Sequence, residues 1–337
     1  MTKIRAGVLA LAAGLLMLTA CSSGAEPAGS SPEGAASASG SAPSAAFPAV
    51  IATKFGDVTV AQEPKRIVAL GWGDAETALA LGVQPVGASD WLAFGAEANG
   101  VGPWAQGLYT TPPQPIATQE PSYEAIGALE PDLILDVKGS GDAARHDRLA
   151  QIAPTIGVPA GADSYLTNPT QQMEMISTAL GQAEQGKTLL AEVDAAFVEA
   201  AAAHPEWKGK TVAAATRTSE TWGAYIKGSD RVSFLENLGF VQSPKVAEIE
   251  TSGTGFSVNI SSENLDQLDA DLIVAFPIFV PTTSITDDPV WQKVPAVADG
   301  RAVVIDGAVS SAYSLGTTLA SRYAIEQLVP QIEEALG

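Results

Sequence analysis

Ser122-Tyr-Glu124-Ala-Ile126-Gly-Ala-Leu129-Glu-Pro-Asp132-Leu-Ile-Leu135 returns 139 residues later as Ser261-Ser-Glu263-Asn-Leu265-Asp-Gln-Leu268-Asp-Ala-Asp271-Leu-Ile-Val274. Ser, Glu, Leu, Asp, Leu and Ile are identical at matched places. In each copy a Ser stands where a helix N-cap belongs and a Glu falls in the first turn. An Asp then opens an apolar run that reads as a buried strand. The same helix-to-strand unit occurs once in each half of the chain. Two related α/β lobes follow from that repeat.

The flanking sequence extends the pattern. From Phe47 onward short β-rich runs alternate with helical patterns, as α/β units require. Strands at 66–70, 85–88 and 132–137 with helices at 74–81 and 122–129 form the first set; strands at 211–216, 271–276 and 302–306 with a helix at 230–238 form the second. Gly82 and Gly239 stop the helices that precede them. Between the sets, 168–207 is helical in composition. Met175, Ile176, Ala179 and Leu180 make one apolar stripe, and Leu189, Leu190, Val193 and Phe197 make the next. Gly181 and Gly186 interrupt it, so two helices are expected. The second, 184–203, would be about 30 Å long at 1.5 Å per residue, a strut between lobes. The division is 47–168 for the first lobe, 169–207 for the connecting helices and 208–337 for the second lobe.

The chain has 337 residues, 18 Lys and Arg against 38 Asp and Glu, and a net charge of −20. Such a surface repels phosphate backbones, which excludes nucleic-acid binding. Apolar residues make up 46% and charged residues 17%, enough for a sizeable core. One cysteine excludes a disulfide framework and a thiolate zinc site. The two histidines, His146 and His204, read as surface or helix-end residues.

Residues 1–20 read as an export signal, with Lys3 and Arg5 ahead of an apolar stretch too short to span a bilayer. Leu18-Thr19-Ala20-Cys21 looks like a bacterial lipobox, which makes Cys21 the lipidated residue. Residues 21–46 are dominated by Ser, Gly, Ala and Pro and read as a flexible tether. The expectation is a globular body leashed to the outer face of the cytoplasmic membrane, in contact with that membrane through the lipid alone.

Two nucleotide-binding patterns fail on context. Gly181-Gln-Ala-Glu-Gln-Gly186-Lys187-Thr188 fits GxxxxGK[ST], but the chemistry needs a preceding strand, and 171–180 reads as an amphipathic helix. Gly139-Ser-Gly141-Asp-Ala-Ala144 fits GxGxx[GA] and more simply closes a strand-to-helix turn. GxSxG, SxxK and HExxH are absent from the sequence.

Beyond these patterns the sequence resembles the siderophore-type substrate-binding lipoproteins of bacterial iron-uptake ABC transporters. The residues carrying the resemblance are Pro64-Lys-Arg-Ile-Val-Ala-Leu70 followed by Gly71-Trp72-Gly73-Asp74, the Tyr123-to-Leu135 block, Gln151-Ile-Ala-Pro154-Thr155, and Pro289-Val-Trp291 with Pro295-Ala-Val297 and Gly300-Arg301-Ala-Val303. The resemblance implies a class III periplasmic-binding-protein-like fold, with two α/β lobes joined by a single long helix around a shallow cleft. It implies a ferric siderophore as ligand, with iron held by the siderophore and no resident cofactor or metal. It also implies a monomer that delivers its ligand to an ABC permease dimer. In the family, glutamates matching Glu124 and Glu263 dock onto arginines of the two permease subunits.

Ligands of doubly wound sheets sit beyond the carboxyl ends of strands. That rule nominates Trp72, Trp91, Lys138 and Arg145 in the first half. In the second it nominates Arg217, Trp222, Tyr225, Phe276, Phe279 and Tyr313, with Trp72 and Arg217 foremost. Aromatic faces suit an apolar chelate shell, and Arg or Lys suits its oxygens; core packing is the ordinary alternative for each aromatic. Few basic residues at these exits favour a hydroxamate or mixed chelate over a triscatecholate. Cobalamin or haem is the nearest alternative ligand. A surface-anchored hydrolase is the alternative of another class, and the sequence offers it no nucleophile–base constellation.

Overall fold

The computed structural model describes residues 46–162, 165–249 and 256–337. The expected export signal, Cys21 and nearly all of the tether lie outside the described residues. A hairpin of β1 (Ala49–Thr53) and β2 (Gly56–Val60) opens the fold. The first large sheet contains β3 (Ile67–Ala69), β4 (Gly87–Ser89), β5 (Gln114–Ile116), β6 (Leu133–Leu135) and β7 (Thr155–Ile156), all parallel, in the order β5-β4-β3-β6-β7. The second contains β8 (Thr211–Arg217), β9 (Trp222–Tyr225), β10 (Val241–Gln242), β11 (Ser257–Ile260), β12 (Leu272–Pro277) and β13 (Ala302–Val304). Its order is β11-β9-β8-β12-β13, with β10 on β8. The two-lobe α/β architecture expected from the repeat is present.

The repeated block shows why it recurs. Asp132 precedes β6, and its carboxylate accepts the backbone N–H groups of Lys65 and Arg66 at 2.7 and 2.8 Å, just ahead of β3. Asp271 precedes β12 and accepts from the N–H and hydroxyl of Thr211 at 2.7 and 2.8 Å, at the start of β8. These bonds hold the Asp271 carboxyl below its ordinary range. In both lobes the Asp fixes the register of the central parallel pair, and the Leu-Ile run behind it is fully buried. The helices differ. Ser122 caps α2 (Tyr123–Ala128) by accepting from the Ala125 N–H at 3.1 Å. Ser261 makes no such cap, and residues 262–268 form a 3₁₀ segment that leaves helical geometry at Asn264. Asn264 is a poorer helix former than Ala125, which holds the matching place in the first copy.

Helix α1 (Asp74–Ala80) follows β3, α3 (Ala143–Ala150) follows β6, and α6 (Asp230–Asn237) follows β9. The connecting pair is α4 (Pro169–Ala179) and α5 (Ala183–Ala203). A capping box of Asn168 and Gln171 starts α4, and Gly181, at φ +71°, turns the chain into α5. Gly186 lies where α5 crosses α4, and the Ser177 side chain fills the space a Cβ would need. The nucleotide-like pattern is therefore a turn glycine and a helix-contact glycine. Leu189 and Leu190 pack on the first lobe's core, while Val193 and Phe197 enter the second's, so α5 ties both cores together.

The lobes also meet directly. Glu76 on α1 is 4% exposed; it accepts from Trp104 Nε1 at 2.5 Å, Gly102 N–H at 3.3 Å and the Thr317 hydroxyl at 3.2 Å. Thr317 caps the C-terminal helix Thr318–Leu336. Burial pushes the Glu76 carboxyl up from 4.5 to about 7 against those hydrogen bonds. Folded protein thus holds this proton more tightly than unfolded chain. The stabilisation is complete below about pH 4.5 and is lost as pH rises through 7. The unfolding free energy of the wild type relative to Glu76→Gln should therefore fall by roughly 1–3 kcal/mol between pH 4.5 and 7.5 in denaturant titrations; a difference independent of pH would contradict this.

Candidate functional site

The loop after β3 is fixed before any ligand arrives. Asp74 is fully buried at the start of α1, where its carboxylate accepts the Val137 N–H at 2.8 Å and Gln172 Nε2 at 2.6 Å. Burial lifts this carboxyl to about 6. Trp72 closes the same knot, its N–H bound to the Lys138 carbonyl and its own carbonyl to Gln172. Loops leaving β3 and β6 are thereby locked to α4, and the side chains of Trp72 and Lys138 project into the gap between the lobes.

That gap is a cavity of about 380 Å³ at the carboxyl ends of β3, β4, β6 and β12 and the start of α6. Trp72, Trp91, Lys138, Phe276 and Phe279, five of the ten nominated residues, line it. Trp91 donates from Nε1 to the Leu70 carbonyl and meets Tyr165 edge-on at 5.2 Å, so its ring is a fixed wall. Phe276 is 3% exposed and forms the opposite wall, whereas Phe279 stands 98% exposed on the lip with φ +55°. Lys138 is 2% exposed and joins Asp230 of the other lobe at 2.5 Å. It is therefore not the free cation expected at that exit.

The other five nominated residues do not line the cavity. Arg145 is bidentate on the buried Asp136, at 3.0 Å for both bonds, and borders a neighbouring cavity that also takes in Glu124. Arg217 donates to the Thr218 carbonyl, and Trp222 is fully buried against Trp291. Both misplacements share one cause. β8 turns straight into antiparallel β9, pairing Arg217 with Trp222, so this exit folds back along the sheet instead of opening into the cleft. Tyr225 and Tyr313 lie behind the cavity wall, 4% and 1% exposed. Burial pushes both phenols up.

Those two tyrosines support a residue the sequence reading passed over. Arg231, in the first turn of α6, is 7% exposed. Its guanidinium lies 4.5 Å from the Tyr225 ring, 5.4 Å from Trp72 and 6.0 Å from Phe276, and Tyr313 donates its hydroxyl to the Arg231 carbonyl at 2.8 Å. Its Nε has no hydrogen-bond partner, and no carboxylate among the described residues pairs with it. The Trp72 Nε1 is likewise buried without a partner. An arginine desolvated among aromatic faces and lacking an anion is a prepared anion site. Asp230, Tyr165, Gln119, Phe256 and Ser310 also line the cavity and were not nominated. Ser229-Asp230 carries only a helix-start signal, and nothing local marks that start as facing the other lobe. Neither histidine belongs to the site: His146 is buried on Phe55, and His204 stacks on Trp207.

The profile of the family described as "Periplasmic binding protein" matches residues 67–309. The chain belongs to that family. Among periplasmic binding proteins it is 27% identical over 282 residues to the "Probable siderophore-binding lipoprotein YfiY" of Bacillus subtilis, covering 79% of this chain and 81% of that one. It is 27% identical over 274 residues to the "Fe(3+) dicitrate-binding periplasmic protein FecB" of Escherichia coli, covering 77% and 83%. Among solved structures, PiaA of Streptococcus pneumoniae in complex with ferrichrome superposes with a TM-score of 0.70 at 26% identity, covering 85% of this chain and 98% of that one. The fold is that of a class III periplasmic binding protein.

Replacing Arg231 by Met removes a buried, unpaired charge together with cation–π contacts worth up to about 2 kcal/mol. The two effects oppose each other, so Arg231→Met should shift the unfolding free energy by no more than about 1 kcal/mol in denaturant titration. A loss of 3 kcal/mol or more, as expected for one half of a buried pair, would show that Arg231 has a structural partner.

Proposed function

We propose that this chain is an extracytoplasmic, lipid-anchored binding protein that captures a ferric siderophore in the interlobe cleft and delivers it to an ABC permease. The observation that carries the reading is Arg231, a buried guanidinium without an anion, set among Trp72, Tyr225 and Phe276 at the meeting of two lobes. The chelate's outer oxygens would bind the guanidinium and its apolar shell would rest on the aromatic walls. Family membership and the ferric-chelate relatives support the same class. With Lys138 neutralised by Asp230, the cavity offers one uncompensated positive charge. That suits a chelate of low charge, a hydroxamate or mixed type, and the PiaA–ferrichrome likeness agrees. Iron remains in the chelate, so the protein needs no metal ligands of its own. No helix among the described residues is long and apolar enough to cross a membrane, and anchoring falls to Cys21.

Permease docking belongs to Glu124 and Glu263. Both are exposed, and Glu124 accepts from the Ser122 hydroxyl at 3.2 Å. One carboxylate per lobe suits a two-fold partner and would set orientation and encounter rate.

Titrating the exported chain with ferrichrome, ferric enterobactin, ferric dicitrate, cobalamin and haem should give saturable tryptophan quenching with a ferric chelate, because Trp72 and Trp91 line the cavity. Quenching by cobalamin or haem alone would overturn the iron assignment. With the chelate that binds, Glu124→Arg/Glu263→Arg should keep its affinity and lose cellular uptake; retained uptake would reduce both glutamates to helix-terminus charges worth about 0.3–1 kcal/mol each.

A further inference from the structure

Lys138 and Asp230 come from opposite lobes, and both face the cavity. Lys138 Nζ lies 2.5 Å from Asp230 Oδ2 and 5.8 Å from the centre of the Trp72 ring, which Arg231 also approaches. The side chains of the pair are 3% and 16% exposed, so the ammonium has little water to exchange for a ligand. Asp230 sits in the first turn of α6 beside its Ser229 cap, where a carboxylate is favoured. The formal charge of the cavity lining is then one net positive unit, held by Arg231.

We propose that Asp230 is a specificity-determining residue: by holding Lys138 it fixes the charge of the cleft and turns it against strongly anionic ferric chelates. The inference rests on the reading of the cleft as a ferric-chelate site. Three hydroxamates cancel the charge of iron(III), whereas three catecholates leave the chelate at −3. A cation released into a site of low dielectric would hardly change the affinity for the first and would raise it for the second by well over tenfold. The geometry makes Asp230 the residue that withholds that cation. A pair acting only as a strut between lobes would, when broken, weaken both chelates alike.

The test is a cycle at one ionic strength, reading tryptophan quenching by ferrichrome and by ferric enterobactin. The chains are the wild type, Asp230→Asn, Lys138→Met and the double variant, with cavity charges of two units for the first substitution, none for the second and one for the other two. The affinity ratio of enterobactin to ferrichrome should rise at least tenfold in Asp230→Asn and fall at least tenfold in Lys138→Met. It should return to within about threefold of the wild type in the double variant, which keeps the charge and discards the ion pair. A ratio that ignores the substitutions, or a double variant that fails to restore it, overturns the inference and leaves the ferric-chelate reading standing. A wild type that binds neither of these two overturns the inference, and one that binds no ferric chelate at all overturns the reading beneath it as well.

Discussion

Lys138 and Asp230 meet across the boundary of the two lobes with almost no water around them. The short contact ties one lobe to the other, and parting the two charges gives up an attraction strengthened by their burial. Its partners on either side are equally fixed. Asp74, itself held by Gln172, accepts from the Val137 N–H in the backbone that presents Lys138, and the Ser229 cap presents Asp230. Glu76 and Thr317 join the lobes a second time, and α5 sends apolar side chains into both cores. The lobes are set at one separation, and the shape of the cleft follows from it.

Within that frame the chemistry of the site comes down to which charges remain unanswered. Lys138 has Asp230, Arg145 has Asp136, and the cavity keeps Arg231. Aromatic faces hold the guanidinium with its Nε unpartnered, which preserves its capacity for a ligand's oxygens. Trp91, bound to the Leu70 carbonyl, and Phe276 add walls that need no rearrangement to receive an apolar shell. A preformed site loses little conformational entropy on binding, and that is consistent with compact, rigid ligands such as metal chelates.

The architecture was legible because the repeat carries its own physics. Asp132 and Asp271 each staple a central strand to its neighbour, and Leu-Ile must be buried behind them, so the same letters recur wherever the same unit is built. The site was legible only where a strand exit opens into the gap, as at Trp72, Trp91, Lys138, Phe276 and Phe279. Arg217 and Trp222 follow a strand of equal quality, yet that strand returns at once as a hairpin through residues 218–221, a local turn that the alternation of strands and helices gave no reason to expect. Arg231 was hidden for a related reason. Its neighbours mark a helix start and nothing more, and only the packing of α6 against the first lobe turns a capped helix into the wall of a site. Residues 262–268 show a smaller version of the same limit, a repeated pattern whose Asn264 breaks the helix its twin forms.

The most direct measurement is the crystal structure of the chain with ferrichrome bound, located by the anomalous signal of iron. The account predicts iron in the interlobe cavity, a chelate oxygen within hydrogen-bond distance of the Arg231 guanidinium, and the Lys138–Asp230 pair intact. Iron outside that cavity, or an Arg231 side chain turned away from the chelate, would contradict it.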